Sequence, residues 1–482
     1  MESFLSQPPH QRLVDVGHAV SELSIEPKPM SIDLQPQQTA LFSSKKMLLN
    51  FVVLVLCSQF AFSVLAMKGV LLPQMLDLWQ ISKTQFGILM SIYGIVHNLF
   101  YVALSWAQDR FSTRVLIPVN MVFGGITTFF LGKTQDFATL CALFVMLSLW
   151  CEGAFWPAVL SAVRKSTTDA NQSKIFGLLE GGRGAIEALQ NVLTVGLYTA
   201  LGYSLFGLEL AFMINAVIMV ALGIAAWFIL PNETLLKAGP DPKKANQEVV
   251  QGMLTMLRLP EVWLAGCVGF CVYTAYTSMP FFLTYLTDLH ALPVLAISIF
   301  GIASTSGGRI GMALPAGFIA NNFLGGAVGG MRLGLLLVCL LGVVMSALPT
   351  TQGYAWVAMV IMTLLAFLFF FMRALYFAPF GEMGLPQRFS GSVIALAAFL
   401  IYLPTSFAYL LWGFLLDTYP GAAGYGYLFG LLAAVAALGV VIAHRLTRRL
   451  KAGTHQQIAE KVAELDRRLG LQGREKTLSE LI

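Results

Sequence analysis

The sequence predicts an all-α membrane protein of twelve transmembrane helices in two pseudo-symmetric six-helix bundles. Three observations carry this. Hydrophobic residues fill 57% of the 482 positions and charged residues only 11%, whereas a soluble domain carries about 25% charged residues. The apolar residues fall in blocks of roughly 20 to 28, each long enough at about 1.5 Å per residue to cross a hydrocarbon core of about 30 Å. The blocks form two sets of six, parted by the longest internal polar stretch, 231–258. Backbone groups in lipid must be paired within their own segment, so each block is expected to be a helix.

In chain order the spans are expected at 48–74, 84–107, 114–132, 138–163, 174–201 and 206–230, then at 259–287, 293–320, 327–348, 353–378, 390–416 and 423–445. The domain plan is an N-terminal tail (1–44), a first bundle (45–230), a linker (231–258), a second bundle (259–450) and a C-terminal tail (451–482). Lys237, Pro240, Asp241, Pro242, Lys243 and Lys244 suit a polar connection between bundles. Orientation follows from the Lys and Arg of the short loops. With the N-terminus inside, Lys45, Lys46, Arg110, Arg114, Arg164, Lys165, Arg332, Arg388, Arg445, Arg448 and Arg449 are cytoplasmic, and only Lys83 and Lys133 fall outside. A multi-pass inner-membrane protein with both termini in the cytoplasm is therefore expected, and the net charge of +5 reflects topology rather than nucleic-acid binding. The first 44 residues lack the basic, apolar, small-residue order of a cleaved signal peptide. Beyond Gly453, Ile458, Val462, Leu465 and Leu469 keep a helical period suited to lying on the membrane face or the linker.

All six cysteines lie in expected spans, which implies no external disulfide framework. Cys267 and Cys271 stand at i, i+4 without a neighbouring His or acid, so neither metal nor cofactor is expected. The chain has no Gly-x-x-x-x-Gly-Lys-Ser/Thr loop, no His-Glu-x-x-His site and no Gly-x-Ser-x-Gly turn, which argues against ATP hydrolysis and against an enzyme.

An ionised side chain at the bilayer centre costs at least about 2.5 to 3.5 kcal/mol, so each one needs a partner, water or a task. The deep candidates are Lys68, His97, Glu152, Glu180, Arg183, Glu187 and Arg309, with Arg373 nearer the cytoplasmic end. Glu180, Arg183 and Glu187 share one face of the fifth span, with Arg183 between two carboxylates. They are expected to form a charge network with Glu152 of the neighbouring span, which reads either as a proton carrier or as the static partner of Arg183 or Lys68. Gly177, Gly181 and Ala185 form a small-residue stripe for helix packing.

Lys68 and Arg309, from opposite halves, are candidate substrate ligands, because Arg offers a fork of donors and Lys a point charge to an anion. Lys68 also lies in the outer third of its span, within snorkelling reach of the interface. His97 is a candidate wall or switch residue. Tyr273 and Tyr276, with Thr274, Thr277 and Ser278 before Pro280, and Tyr402, with Pro404, Thr405 and Ser406, are the hydroxyl clusters expected to line a pocket. Cations and hydroxyls together suit an oxyanion bearing hydroxyls. A weak internal symmetry sets Asp77-Leu78 against Asp288-Leu289, and His97 against Arg309, in matching positions of the two halves.

At the end of the second span, Ser105-Trp-Ala-Gln-Asp109-Arg110-Phe-Ser112-Thr-Arg114 resembles the cytoplasmic loop motif of the major facilitator superfamily, Gly-x-x-x-Asp-Arg-x-Gly-x-Arg, with Ser at both glycine positions. The resemblance covers about residues 45–450 and assigns Asp109, Arg110 and Arg114, with Arg373, to a cytoplasmic gate. Gly153-Ala-Phe-Trp156-Pro157-Ala158, followed by a basic loop and a Gly-rich span, is similar to the nitrate/nitrite porters and organophosphate:phosphate antiporters, which place cations at the centre of the pathway. His97 stands where a nitrate porter would present Arg. The resemblance implies a solute site near the midplane between halves and secondary active transport of a small organic anion by alternating access, proton-coupled or by exchange. The expected partners are that solute and the lipid bilayer, with the chain acting as a monomer. A carrier of a neutral or sugar-like solute, and a sensor or assembly factor that has lost transport, are the alternatives.

Overall fold

The computed structural model describes residues 42, 44–104, 111–166, 172–232, 259–383 and 397–452. Nearly all of the two tails and of the linker, and Asp109 and Arg110 of the loop motif, lie outside the described residues. From Ser44 on, the described residues belong to one compact unit.

Six helices make the first bundle: α1 (Lys45–Phe60 and Ser63–Trp79), α2 (Lys83–Ala103), α3 (Thr113–Leu131), α4 (Phe137–Val163), α5 (Gln172–Ala200) and α6 (Leu205–Ile229). Six more make the second: α7 (Pro260–His290), α8 (Val294–Ala313), α9 (Ala327–Ser346), α10 (Gln352–Phe380), α11 (Ala397–Thr418) and α12 (Ala422–Lys451). Among the described residues nine of these are each long and apolar enough to cross a membrane, and the two pieces of α1 do so as a pair bent by 41°. The remaining two, α2 and α5, are long enough at 21 and 29 residues, but their polar content sets them apart. They carry His97 and Asn98, and Glu180, Arg183 and Glu187, respectively. The helices least suited to lipid are thus the ones with groups to bury against other helices.

Local chemistry marks the helix ends. Ser44 accepts a hydrogen bond from Met47 N at the start of α1, and Ser204 accepts one from Gly207 N at the start of α6. Asp136 caps α4, accepting from the Thr139 hydroxyl at 2.7 Å and its N–H at 2.8 Å, and these bonds hold its carboxyl below the usual carboxylate range. The symmetry seen in the sequence has a structural counterpart: three residues after Asp77 and after Asp288, Gln80 (φ 53°) and Ala291 (φ 45°) close α1 and α7 in the left-handed region. From those aspartates to His97 and to Arg309 the chain runs 20 and 21 residues, and the longer path crosses widened π-type turns of α8. A π-type turn accommodates an extra residue without moving the helix ends.

The bundles meet along α2 and α11, α1 with α7 and α8, and α5 with α8. Gly94 explains how close the first contact is, since a Cβ there would stand 2.6 Å from the Thr405 carbonyl carbon. Gly87, two turns earlier, lies equally close to the backbone of Leu410. Helices that face the interior are interrupted near their middles: α1 at Ala61 and Phe62, α4 by a π-type turn at Leu149–Gly153, α7 before Pro280, and α11 by a tight turn at Leu403–Ser406. Interruptions free backbone groups, which a membrane protein tolerates only where other protein or a cavity takes them up.

Candidate solute-binding site

The fifth and eighth helices hold the densest charge. Arg309, in the π-type turn Arg309–Ala313, donates to Glu187 at 2.6 Å and to Glu180 at 2.8 Å, while Arg183 donates to the other oxygen of Glu180 at 2.9 Å. The sequence placed Arg183 between the two carboxylates of α5. In the structure Arg309 of the other bundle takes that position, and the Arg183 guanidinium turns over the rings of Trp156 (4.6 Å) and Phe62 (5.3 Å). Close approach here falls to Gly181 and Gly184, against Leu314, Ile310 and the Arg309 stem, whereas Gly177 faces open space. The result is a two-carboxylate clasp joining the bundles.

A second group sits on the π-type turn of α4. Glu152 accepts from the Tyr93 hydroxyl at 3.1 Å and lies 3.4 Å from His97 Nδ1. Its partners therefore come from α2, and neither Arg183 nor Lys68 reaches it at ion-pair distance. The His97 ring stands edge-on to Tyr402 of α11, 5.7 Å between centroids, and Asn98 donates to Ser406 one residue along. The acid is thereby linked through an imidazole to the opposite bundle.

The third group is made of cations and rings. Arg373 lies over Tyr276 at 4.1 Å and Tyr273 at 5.6 Å, with Tyr402 at 5.0 Å from Tyr273 and in hydrogen-bond contact with Tyr376 at 2.9 Å. The sequence set Arg373 toward the cytoplasmic end because its expected span stopped at 378. Helical structure resumes after a turn at 374–377 and runs to Glu382, and the Arg373 guanidinium lies among the rings of α7. Lys68, 7% exposed, approaches the Tyr409 ring of α11 at 5.4 Å. Among the described residues neither Lys68 nor Arg373 has a carboxylate at ion-pair distance, and Arg373 Nε is buried without a hydrogen-bond partner.

Thr274, Thr277 and Ser278 donate to carbonyls of their own helix, which leaves the tyrosines as the hydroxyls around the cations. Arg114 of the loop motif donates to the Trp227 carbonyl at 2.6 Å, an anchor within the first bundle at the end of α6. Sequence reasoning did not single out Tyr93, Tyr376 or the contacts at the far end of α2. There Lys83 pairs with Asp288 at 2.9 Å, Asp417 accepts from Thr84 N at 2.7 Å, and Tyr425 donates to Asp288. The matching of Asp77-Leu78 with Asp288-Leu289 was the one local signal. Among the described residues no cluster of His, Cys, Asp and Glu is arranged to hold a metal.

Two six-helix bundles with buried charge where they meet suit a membrane transporter. The chain belongs to the Major Facilitator Superfamily, whose family model matches residues 51–378. It is 24% identical over 421 residues to the inner membrane protein YihN of Escherichia coli (strain K12), covering 86% of this chain and 99% of that one. To the inner membrane protein YqcE of the same organism it is 26% identical over 371 residues, 75% and 85% of the two chains. Among solved structures it superposes on the nucleoside transporter NupG with a TM-score of 0.63 at 12% identity, covering 84% of this chain and 99% of that one. A bacterial homologue of the human lysosomal transporter Spinster, inward-facing and unoccupied, gives a TM-score of 0.63 at 15% identity, with 88% and 97% covered. At these identities the structures share the fold.

Proposed function

We propose that the chain is a secondary active carrier of a small organic anion, held between Lys68 of residues 45–230 and Arg373 of residues 259–450 and moved by rocking of one bundle against the other. One observation carries the reading: two buried cations, one from each bundle, lie against aromatic rings and have no carboxylate at ion-pair distance among the described residues. A buried charge without a counter-ion is costly, and an anionic solute bridging the two removes that cost while drawing the bundles together. Only a ligand that binds one state better than another shifts the equilibrium between them. The surrounding hydroxyls of Tyr273, Tyr276, Tyr376 and Tyr402 favour an oxyanion with hydroxyl groups of its own. Arg309 belongs on this reading to the seam between bundles, with Glu180, Arg183 and Glu187.

Glu152 is the candidate coupling group. It is an acid held by Tyr93 and His97, on a widened turn beside the pathway, and His97 touches Tyr402 of the cation site. Proton uptake at the Glu152–His97 pair would then be felt where the anion binds. Both termini lie in the cytoplasm on this proposal, the carrier sits in the inner membrane as its E. coli relatives are named, and the Lys83–Asp288 end faces outward.

Thermal unfolding of the purified carrier with a panel of small anions and matched neutral analogues tests the reading, because a ligand raises the midpoint through its affinity for the folded state. Stabilisation by an anion that disappears in Arg373→Ala is expected. Stabilisation by neutral solutes alone, unchanged in Arg373→Ala, would overturn the anion assignment.

A further inference from the structure

The transport reading leaves unused a wedge at one end of the second bundle. On α7, Pro260, Trp263, Leu264 and Cys267 recur at i, i+3, i+4 and i+7, and on α12, Arg445, Arg448 and Arg449 recur at i, i+3 and i+4. The two stripes line one cavity of about 650 Å³. Further into the membrane the helices touch, since a Cβ on Gly439 would stand 2.9 Å from Cys271 Cβ. Between the first turns of α7 and the last turns of α12 lies a space with an apolar wall and a basic mouth. Arg449 pairs with Glu261 at 3.3 Å, and the Glu261 side chain is almost wholly buried. Arg445 and Arg448 are exposed and have no ion pair among the described residues. A topology signal accounts for arginines at the end of a span, but not for three of them turned toward one apolar stripe.

We infer that this wedge binds an anionic phospholipid, with the headgroup phosphate on Arg445 and Arg448 and an acyl chain along Trp263 and Leu264 toward Cys267. Basic recesses between membrane helices at the interface suit lipid phosphates, and Trp263, 47% exposed, is a residue type that favours that depth. The apolar wall selects lipid over free phosphate, which has nothing to place there.

The full-length carrier, delipidated in neutral detergent, is to be titrated with phosphatidylglycerol, phosphatidylcholine or inorganic phosphate while its thermal midpoint is followed. Phosphatidylglycerol is expected to raise the midpoint saturably, and the other two to leave it in place. In the Arg445→Gln/Arg448→Gln variant half-saturation is expected to rise roughly thirty-fold, about fivefold for each basic side chain near an anionic surface. Trp263→Ala keeps every arginine and gives a second reading should the charge variant not fold; a several-fold rise is expected. Equal stabilisation by phosphatidylcholine or by inorganic phosphate, or an unchanged half-saturation in the variants, overturns the site.

Discussion

Two arginines of the second bundle are buried in opposite ways. Arg309, on α8, is met by two carboxylates from α5 at 2.6 and 2.8 Å. Arg373, on α10, is met by the rings of Tyr273, Tyr276 and Phe370. A guanidinium with both forks filled is committed to holding helices together. One over aromatic faces, each worth about 0.5 to 2 kcal/mol, keeps donors for something else. On the proposed reading the α5–α8 seam is structural and the solute sits at the centre, and the contrast is open to direct challenge.

The largest effect is expected at the centre. Arg373→Ala should lower solute uptake into proteoliposomes by about 30-fold or more, since loss of one partner of a buried charge pair costs roughly 2 to 5 kcal/mol, with the thermal midpoint of the solute-free protein little changed. If uptake survives, the contrast is broken. Next comes the seam. Arg309→Ala should lower stability by about 2 kcal/mol, below the usual figure of about 3 to 5 for a broken buried pair because the Glu180 side chain is 46% exposed. Removing Glu187 as well, in Arg309→Ala/Glu187→Ala, should recover part of that loss in the thermal midpoint.

Coupling is expected to be smaller and distinct. Glu152→Gln should cut accumulation driven by a proton gradient while exchange of labelled for unlabelled solute continues; loss of both in equal measure would make Glu152 structural. At the α2–α11 contact, Gly94→Ala should slow transport and destabilise by about 1 to 3 kcal/mol at most, the range for forcing extra atoms into a packed site, with the lower end expected for one methyl. The smallest effect belongs to Lys83→Gln. Its pair with Asp288 is partly exposed, so about 0.5 kcal/mol is at stake, a shift of about twofold between open and closed forms, readable from spin-label distances across that end.

Much of the architecture was legible because burial in lipid writes itself in composition. Runs of apolar residues long enough to span gave helix boundaries that the structure reproduces within a few residues at most ends, and a shared face for Glu180, Arg183 and Glu187 followed from helical spacing alone. Partners across the two bundles were not legible. Which face of α5 meets which face of α8 depends on packing between segments more than 100 residues apart, so Arg309 could be seen as buried but not as clasped. Arg373 was legible as a cation near the end of its span, but the rings of Tyr273 and Tyr276 that meet it lie on another span about 100 residues earlier and were not legible as its partners. Glu152 was visible as an odd acid in an apolar run, whereas its partners Tyr93 and His97 were visible only as members of another span.

The clasp also has an order of assembly. Glu187 and Arg309 lie 122 residues apart in the chain, so at about 5 to 20 residues per second the ribosome leaves α5 without its counter-charge for roughly 6 to 24 seconds. During that interval Arg183, three residues from Glu180 and 2.9 Å away, is the cation of α5 that meets its carboxylates. Its value would be greatest before the fold exists: Arg183→Ala should leave α5 slow to enter the bilayer, and the newly made carrier exposed to proteolysis, even where the finished protein tolerates the change.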